Sequence, residues 1–130
     1  AISTAWPDSG ADILFGIGGT PEGVITAAAL KCMGGEQYGR LWPRNDGERT
    51  ALLEAGFDLD RVLSADDLVA GDNVFVSATG VTGGSLLQGV RASATGVETE
   101  SLVMRSRSGT VRRIAAFHPN DKLANLRMEG

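Results

Sequence analysis

The residues with the clearest chemical potential lie in a glycine-rich turn, Gly16 to Gly23, near the start of the sequence. A short apolar run, residues 12–18, leads into this turn, and an alanine-rich run with good helix propensity follows it. A turn from a strand into a helix exposes backbone N–H groups at the positive end of the helix dipole, where phosphate commonly binds. Glycine suits such a turn because a Cβ would hold phosphate oxygens away from the backbone.

The glycine spacing excludes two familiar nucleotide-binding motifs. The Walker P-loop needs a Gly-Lys-Ser/Thr run, which this turn lacks. The dinucleotide fingerprint counted from Gly16 and Gly18 would require glycine at position 21, where Pro21 stands. A nucleotide-binding domain is therefore the weakest of the functions that this turn suggests.

Glu22 gives the turn a more specific interpretation, because a carboxylate repels a nearby phosphate unless a divalent cation lies between them. One carboxylate with substrate oxygens and water is an ordinary ligand set for Mg²⁺ or Mn²⁺. The turn thus predicts a metal-assisted phosphate site in which Glu22 binds the metal and the Gly19 backbone contacts the substrate. A well-capped helix with an acid in its first turn explains the same residues without any ligand.

The elements around the turn are predicted from apolar runs and end signals. Residues 12–18 are expected to form a strand buried on both faces. Thr20 is expected to cap a helix that continues to Met33, and Gly34 is expected to end it.

The rest of the chain predicts further short elements and a hairpin. In order, they are a weak strand over 36–42, a helix over 48–55, a helix that Ser64 caps, a buried strand over 74–78 and a helical turn over 85–90. Two β-rich runs, 98–104 and 110–117, flank a polar turn and predict a C-terminal β-hairpin, and 120–130 suits a polar tail or frayed helix. The order of elements predicts an α/β fold, a three-layer sandwich with a mixed sheet.

Composition limits the class of protein. The length of 130 residues fits a single domain over 1–130, and 42% hydrophobic with 22% charged residues indicates a soluble, folded protein. The net charge of −4 gives no general attraction for nucleic acid or anionic lipid, so neither partner is expected. No window approaches the roughly 18 apolar residues that a membrane span needs.

Cysteine usage points to a location. Cys32 is the only cysteine, which excludes an intramolecular disulfide and a cysteine metal cluster. The sequence also opens without a basic and apolar signal segment, so the cytoplasm is the expected location.

Four blocks resemble class II fructose-1,6-bisphosphatases and occur in the same order as in that family. They are DILFGIGGTPEGV at 12–24, LKCMGGE at 30–36 with GRLWPR at 39–44, DNVFVSATGVT at 72–82 and SLVMRSRSGTVR at 101–112. Four ordered blocks are far more specific than one glycine loop, and the likeness covers nearly the whole chain.

The resemblance implies the C-terminal domain of a metal-dependent sugar bisphosphatase in the lithium-sensitive phosphatase superfamily. Such enzymes remove the 1-phosphate of fructose 1,6-bisphosphate, and some relatives also accept sedoheptulose 1,7-bisphosphate. Carried over residue by residue, the resemblance makes Glu22 a ligand of Mn²⁺ or Mg²⁺ and Gly19 a substrate contact. Gly18 and Thr20, on either side of Gly19, are the other expected substrate contacts.

The resemblance also implies that much of the active site lies elsewhere. The other metal-binding acids, the catalytic threonine and the residues that grip the sugar phosphate lie upstream in family members, and their motifs do not occur here. The catalytic residues are therefore unknown, and little or no phosphatase activity is expected from these 130 residues alone. Ser85 also stands where the family usually has an aspartate.

Two states of the protein follow from these expectations. One is the C-terminal domain of an enzyme whose N-terminal domain is missing from this chain. The alternative is a truncated, non-catalytic relative that binds sugar phosphates weakly or serves in assembly. Because a missing part would uncover apolar surface, self-association into a homo-oligomer is expected.

Overall fold

The computed structural model describes residues 1–123, and its architecture confirms the α/β class. The helices are Thr20–Met33 (α1), Asp46–Glu54 (α2), Ala65–Leu68 (α3) and Asn120–Leu123 (α4), with a 3₁₀ turn at Ile2–Ala5. The strands are Tyr38–Gly39 (β1), Leu63–Ser64 (β2), Phe75–Thr79 (β3), Arg91–Ala92 (β4), Gly96–Arg105 (β5) and Thr110–Pro119 (β6). Of the polar tail or frayed helix expected over 120–130, residues 120–123 form α4, and residues 124–130 lie outside the described residues.

The larger sheet has four strands and is built around β5. Strand β6 pairs with the whole length of β5, from Gly96 opposite Pro119 to Arg105 opposite Thr110. Strands β3 and β4 share the other edge of β5, and β1 and β2 form a separate two-stranded ribbon. Every pairing among residues 1–123 is antiparallel, so the parallel neighbours expected of a mixed sheet are not among them.

The core lies between α1 and one face of the larger sheet. Leu102 and Met104 are two residues apart in β5 and therefore point to the same face, where both are buried. Helix α1 packs Ala29 and Cys32 against Met104, and its Ala27 and Leu30 are also buried. Helix α3 packs against α1 in turn. A sheet and a helix account for two layers, and the third layer of the expected sandwich stays a prediction.

The C-terminal hairpin and α1 confirm the sequence prediction most closely. Strands β5 and β6 contain both predicted β-rich runs, and the polar turn between them lies where it was expected. Helix α1 ends at Gly34, which adopts the left-handed conformation with φ 73°. Its N-cap, however, is Gly19 and not Thr20, because Thr20 is already the first helical residue.

The prediction of a buried strand over 12–18 is wrong for the described structure. These residues have no regular secondary structure, and none of their backbone groups is hydrogen-bonded to another residue in 1–123. A strand forms only beside a neighbour, and no described strand lies alongside this segment.

Three other predictions also need correction. Residues 85–90 form a loop without a helical turn, because Glu100 in β5 binds the Gln88 N–H at 2.6 Å. The strand expected over 36–42 is reduced to the two residues of β1. Strand β3 exists, but its residues alternate between half-buried and exposed because one of its faces lies away from α1.

No helix within residues 1–123 combines the length and the apolar character needed to cross a bilayer.

Candidate functional site

The N-terminal turn of α1 brings together all four residues that the sequence singled out. Gly18 precedes the cap, Gly19 is the cap in an extended conformation, Thr20 begins the helix and Glu22 lies in its first turn. The first helical hydrogen bond runs from the Gly23 N–H to the Gly19 carbonyl at 3.0 Å. Gly18, Gly19, Thr20 and Glu22 are all exposed, so this helix end is open to a ligand.

The Glu22 carboxylate folds back over Gly19. A Cβ placed on Gly19 would overlap Glu22 Oε2 and would lie 3.2 Å from the Glu22 carboxyl carbon. Gly19 has φ −69°, which any residue adopts, and the nearest atoms belong to the end of the flexible Glu22 side chain, so glycine is required there neither by backbone conformation nor by a fixed neighbour. The Glu22 carboxylate thus lies directly beside the N-cap of α1. A phosphate reaches that place without strong repulsion only when a cation bridges the two groups.

The described residues do not fit a complete metal centre. Within residues 1–123, no group of three or more histidine, cysteine, aspartate or glutamate side chains could hold a metal ion. Mg²⁺ and Mn²⁺ take about six oxygen ligands, and proteins usually bind them through one or two carboxylates together with substrate phosphates and water. Glu22 can supply one such ligand, and the described chain does not assemble the others around it.

Gln37 is hydrogen-bonded to the same turn on its partly buried side, a contact that the sequence did not predict. Its Nε2 donates to the Gly23 carbonyl at 3.2 Å, which ties the first turn of α1 to the segment entering β1. Its Oε1 is buried and has no hydrogen-bond partner among the described residues. A buried acceptor without a donor costs about 1–3 kcal/mol. The described residues around the turn therefore leave the Gln37 amide oxygen without the hydrogen bond that it needs.

The opposite end of α1 is held by Lys31, whose contacts the sequence did not predict either. Its ammonium lies 2.8 Å from the Val69 carbonyl, 2.8 Å from the Gly71 carbonyl and 2.6 Å from an Asp66 carboxylate oxygen. An ammonium has three donors, so all of them are used. The only signal in the sequence was a cation in the last helical turn, which favours the helix dipole but does not indicate these partners.

An open surface depression of about 620 Å³ lies beside this lysine and is not a second candidate site. Its lining includes Lys31, Asp66 and Asp72. The ammonium is already bound by carbonyls and a carboxylate, so none of its donors is left for a phosphate there. Lys31 is nine residues from Glu22, which corresponds to about 13.5 Å along the helix. The depression and the Glu22 turn are separate features.

Comparison with known proteins identifies the family. Residues 1–118 match the family model described as "Bacterial fructose-1,6-bisphosphatase, glpX-encoded". The chain belongs to this family. The matched range includes the α1 turn with Glu22 and nearly all of the hairpin that was predicted from the sequence.

Three curated relatives agree with that assignment. They are Fructose-1,6-bisphosphatase 1 class 2 of Escherichia coli strain K12 and the class 2 proteins of Escherichia coli O6:H1 and Shigella flexneri. Each is 40% identical over 135 residues, which cover 94% of this chain and 40% of the relative. The resemblance seen in the sequence is therefore confirmed, and the chain spans two fifths of the length of these relatives.

Proposed function

We propose that this chain contributes one side of the active site of a bacterial fructose-1,6-bisphosphatase. The observation that carries the proposal is the Glu22 carboxylate folded over Gly19 at the open end of α1. The names of the relatives point to fructose 1,6-bisphosphate as the substrate. Sedoheptulose 1,7-bisphosphate is the second substrate to compare, because it carries the same terminal phosphate chemistry.

The residues of the turn would have two binding roles, one for the phosphate and one for the metal. The backbone N–H groups of Gly18, Gly19 and Thr20 would bind phosphate oxygens at the positive helix end. Glu22 would hold Mn²⁺ or Mg²⁺ between its carboxylate and that phosphate, since the two anions otherwise repel each other. A single carboxylate binds such a cation weakly, so we propose that the other ligands and the catalytic residues belong to the part of the family protein outside this chain.

A non-catalytic module is the second candidate. It is favoured by the lack of any three-ligand cluster within residues 1–123. Such a module would bind a sugar phosphate through the helix end or would serve only in assembly. Turnover separates the candidates, because a binding module retains ligand without releasing inorganic phosphate.

Three broader features belong to this proposal. The fold would be completed as a three-layer sandwich of the lithium-sensitive phosphatase superfamily. The protein would form a homo-oligomer, because large apolar side chains outside residues 12–18 are also exposed, among them Tyr38, Trp42 and Phe57. It would function in the cytoplasm, where a lone thiol such as Cys32 stays reduced.

The test is a chimera in which residues 1–130 replace the matching part of the Escherichia coli K12 relative. Phosphate release from fructose 1,6-bisphosphate is measured with Mn²⁺ or Mg²⁺. We expect Glu22→Gln to reduce turnover by roughly 100-fold or more, because a lost anionic ligand weakens charge stabilisation at the phosphoryl group. The matched control is Glu54→Gln, which neutralises an exposed carboxylate at the end of α2.

Equal activity of the Glu22→Gln and Glu54→Gln chimeras would contradict the role proposed for Glu22. An unmodified chimera that binds the bisphosphate and the metal but releases no phosphate would favour the non-catalytic module. Circular dichroism of each variant separates a lost function from a lost fold.

A further inference from the structure

We propose that residues 12–18 are an interior β-strand whose neighbours come from the part of the family protein outside this chain. The identity of that partner rests on the proposed function, whereas the strand character rests on the segment itself. The segment leads directly into Gly19 and Glu22, so its docking would also fix the position of the candidate site.

The backbone N–H and C=O groups of residues 12–18 are free to pair with another strand. None of its N–H or C=O groups is hydrogen-bonded to any residue within 1–123. Backbone polar groups that become buried are almost always paired, and a row of unpaired groups is a template for another strand. Pairing of an extended segment with a neighbouring strand satisfies them without any particular side chain.

The side chains indicate that both faces become covered. Ile13, Phe15 and Ile17 alternate along the segment and are 69%, 84% and 86% exposed. The opposite face has Leu14, which is 61% exposed, with Asp12 at the start of the segment and two glycines. A strand with one solvated face would alternate apolar and polar residues, whereas residues 13–18 have no polar side chain on either face, which is typical of a strand inside a sheet.

Two glycines on the same face as Leu14 independently indicate that a neighbouring strand packs against this segment. Gly16 and Gly18 are not among the glycines with positive φ, and a Cβ on either would meet nothing within 4 Å. Neither the local conformation nor a described neighbour therefore requires glycine at these positions. A strand glycine without such a reason often marks a place where another backbone approaches closely. The missing neighbour would pack closely against this face.

The partner that fits is the remainder of the same family protein. The relatives extend well beyond the match, since this chain covers 40% of their length. A second copy of the chain fits less well. Self-pairing of 12–18 would satisfy one edge of each segment and leave the other edge unpaired, whereas an interior strand needs neighbours on both edges.

Amide hydrogen exchange of residues 12–18 tests the inference, measured in the 130-residue chain and in the chimera with the Escherichia coli K12 relative. We expect these amides to exchange about 100-fold or more slowly in the chimera, because docking would pair them. Amides of β5, paired in the chain already, would change little by comparison.

A pair of variants gives the inference a second test. Ile17→Asp would lower the unfolding midpoint of the chimera and leave that of the chain unchanged. Val81→Asp, at another apolar side chain that is 76% exposed, would leave both midpoints unchanged. Where the Ile17→Asp chimera fails to fold at all, Ile17→Ala supplies the same comparison with a smaller effect.

Three results would overturn the inference. The amides of 12–18 could stay unprotected in the chimera, or the Ile17 and Val81 variants could behave alike. The chain alone could also form a stable dimer that protects 12–18, which would make a second copy the partner. Because none of these readouts is turnover, a docked but inactive chimera would contradict the proposed function and leave the docking strand in place.

Discussion

Helix α1 has one end packed into the core and the other end open beside a segment without a partner. At the C-terminal end, Leu30 and Cys32 are buried and Lys31 is bound by two carbonyls and a carboxylate. At the N-terminal end, Thr20 and Glu22 are exposed, and residues 12–18 make no backbone hydrogen bond with another described residue. The same helix thus joins the most tightly packed part of the described chain to its least supported part.

The difference shows where stability and chemistry reside in this chain. The packed end and the β5–β6 hairpin contain the buried side chains, so they should open only with global unfolding. The open end carries the charged and glycine residues that could bind a metal and a phosphate. A change in the packed region should therefore affect stability, whereas a change in the open region should affect only the completed protein.

The largest expected effect on the isolated chain is that of Met104→Ala. Met104 is 1% exposed and packs with Ala29 and Cys32, so its truncation should destabilise the chain by about 2–5 kcal/mol. Ile17→Ala removes a side chain that is 86% exposed and should change stability by less than about 0.5 kcal/mol. Urea unfolding followed by circular dichroism measures both. Equal losses of stability in the two variants would contradict the claim that the packed region stabilises the chain and the open segment does not.

Lys31→Met should have the next largest effect, because it removes the donor that binds two loop carbonyls. Leaving the Val69 and Gly71 carbonyls without their partner should cost about 1–3 kcal/mol. Asp66→Ala removes only the carboxylate, whose side chain is 84% exposed, and should cost less than about 1 kcal/mol. Urea midpoints of the two variants give the comparison. If Asp66→Ala costs as much as Lys31→Met, the ion pair and not the carbonyl contacts anchors this end of α1.

Ser64→Ala should have a smaller effect that is confined to the packed region. The Ser64 hydroxyl accepts from the Asp67 N–H, and the Asp67 carboxylate accepts from the Ser64 N–H, so the pair closes the first turn of α3. Loss of this cap should cost about 1 kcal/mol, and Ser64→Thr should retain most of the stability. Thermal unfolding of both variants provides the measurement. A Ser64→Thr variant as unstable as Ser64→Ala would show that the hydroxyl does not act as a cap.

The smallest expected effect is a dependence of stability on acid pH that Glu100 contributes. The Gln88 N–H, and next the Arg113 guanidinium, lower the pKa of Glu100 below its ordinary value of 4.5. A lowered pKa in the folded state stabilises the fold above the ordinary pKa, and this contribution is lost as the pH falls through the native pKa.

Urea midpoints measured from about pH 6 down to about pH 3 test this expectation. The midpoint of the wild-type chain should fall more steeply over this range than that of Glu100→Gln, which cannot lose a charge there. Parallel curves for the two proteins would show that the loop held by Glu100 contributes nothing that depends on its charge.

The packed region could be predicted from sequence because its signals are local. The hairpin follows from two β-rich runs around a polar turn, and the end of α1 follows from Gly34. The cap of α3 follows from Ser64 with an acid three residues later. Each of these signals lies within the element that it specifies, so no distant part of the chain was needed to find it.

The remainder depends on contacts that a single sequence does not reveal. Lys31 binds carbonyls 38 and 40 residues away, and Gln37 binds a carbonyl 14 residues away. Residues 12–18 have the composition of a buried strand, yet they are exposed because the described chain offers them no neighbour. Glu22 was predicted beside Gly19, and the structure places its carboxylate there, but its role as a ligand stays a prediction.

The measurement that tests the central claim most directly is phosphate release by the isolated chain and by the chimera at equal concentration. Both are assayed with fructose 1,6-bisphosphate and Mn²⁺, and each is compared with its Glu22→Gln variant. If this chain supplies only the α1 side of the site, the chimera will release phosphate in a way that depends on Glu22, and the chain will release none. Turnover by the isolated chain that Glu22→Gln abolishes would contradict this account, since the active site would then be complete without any further part.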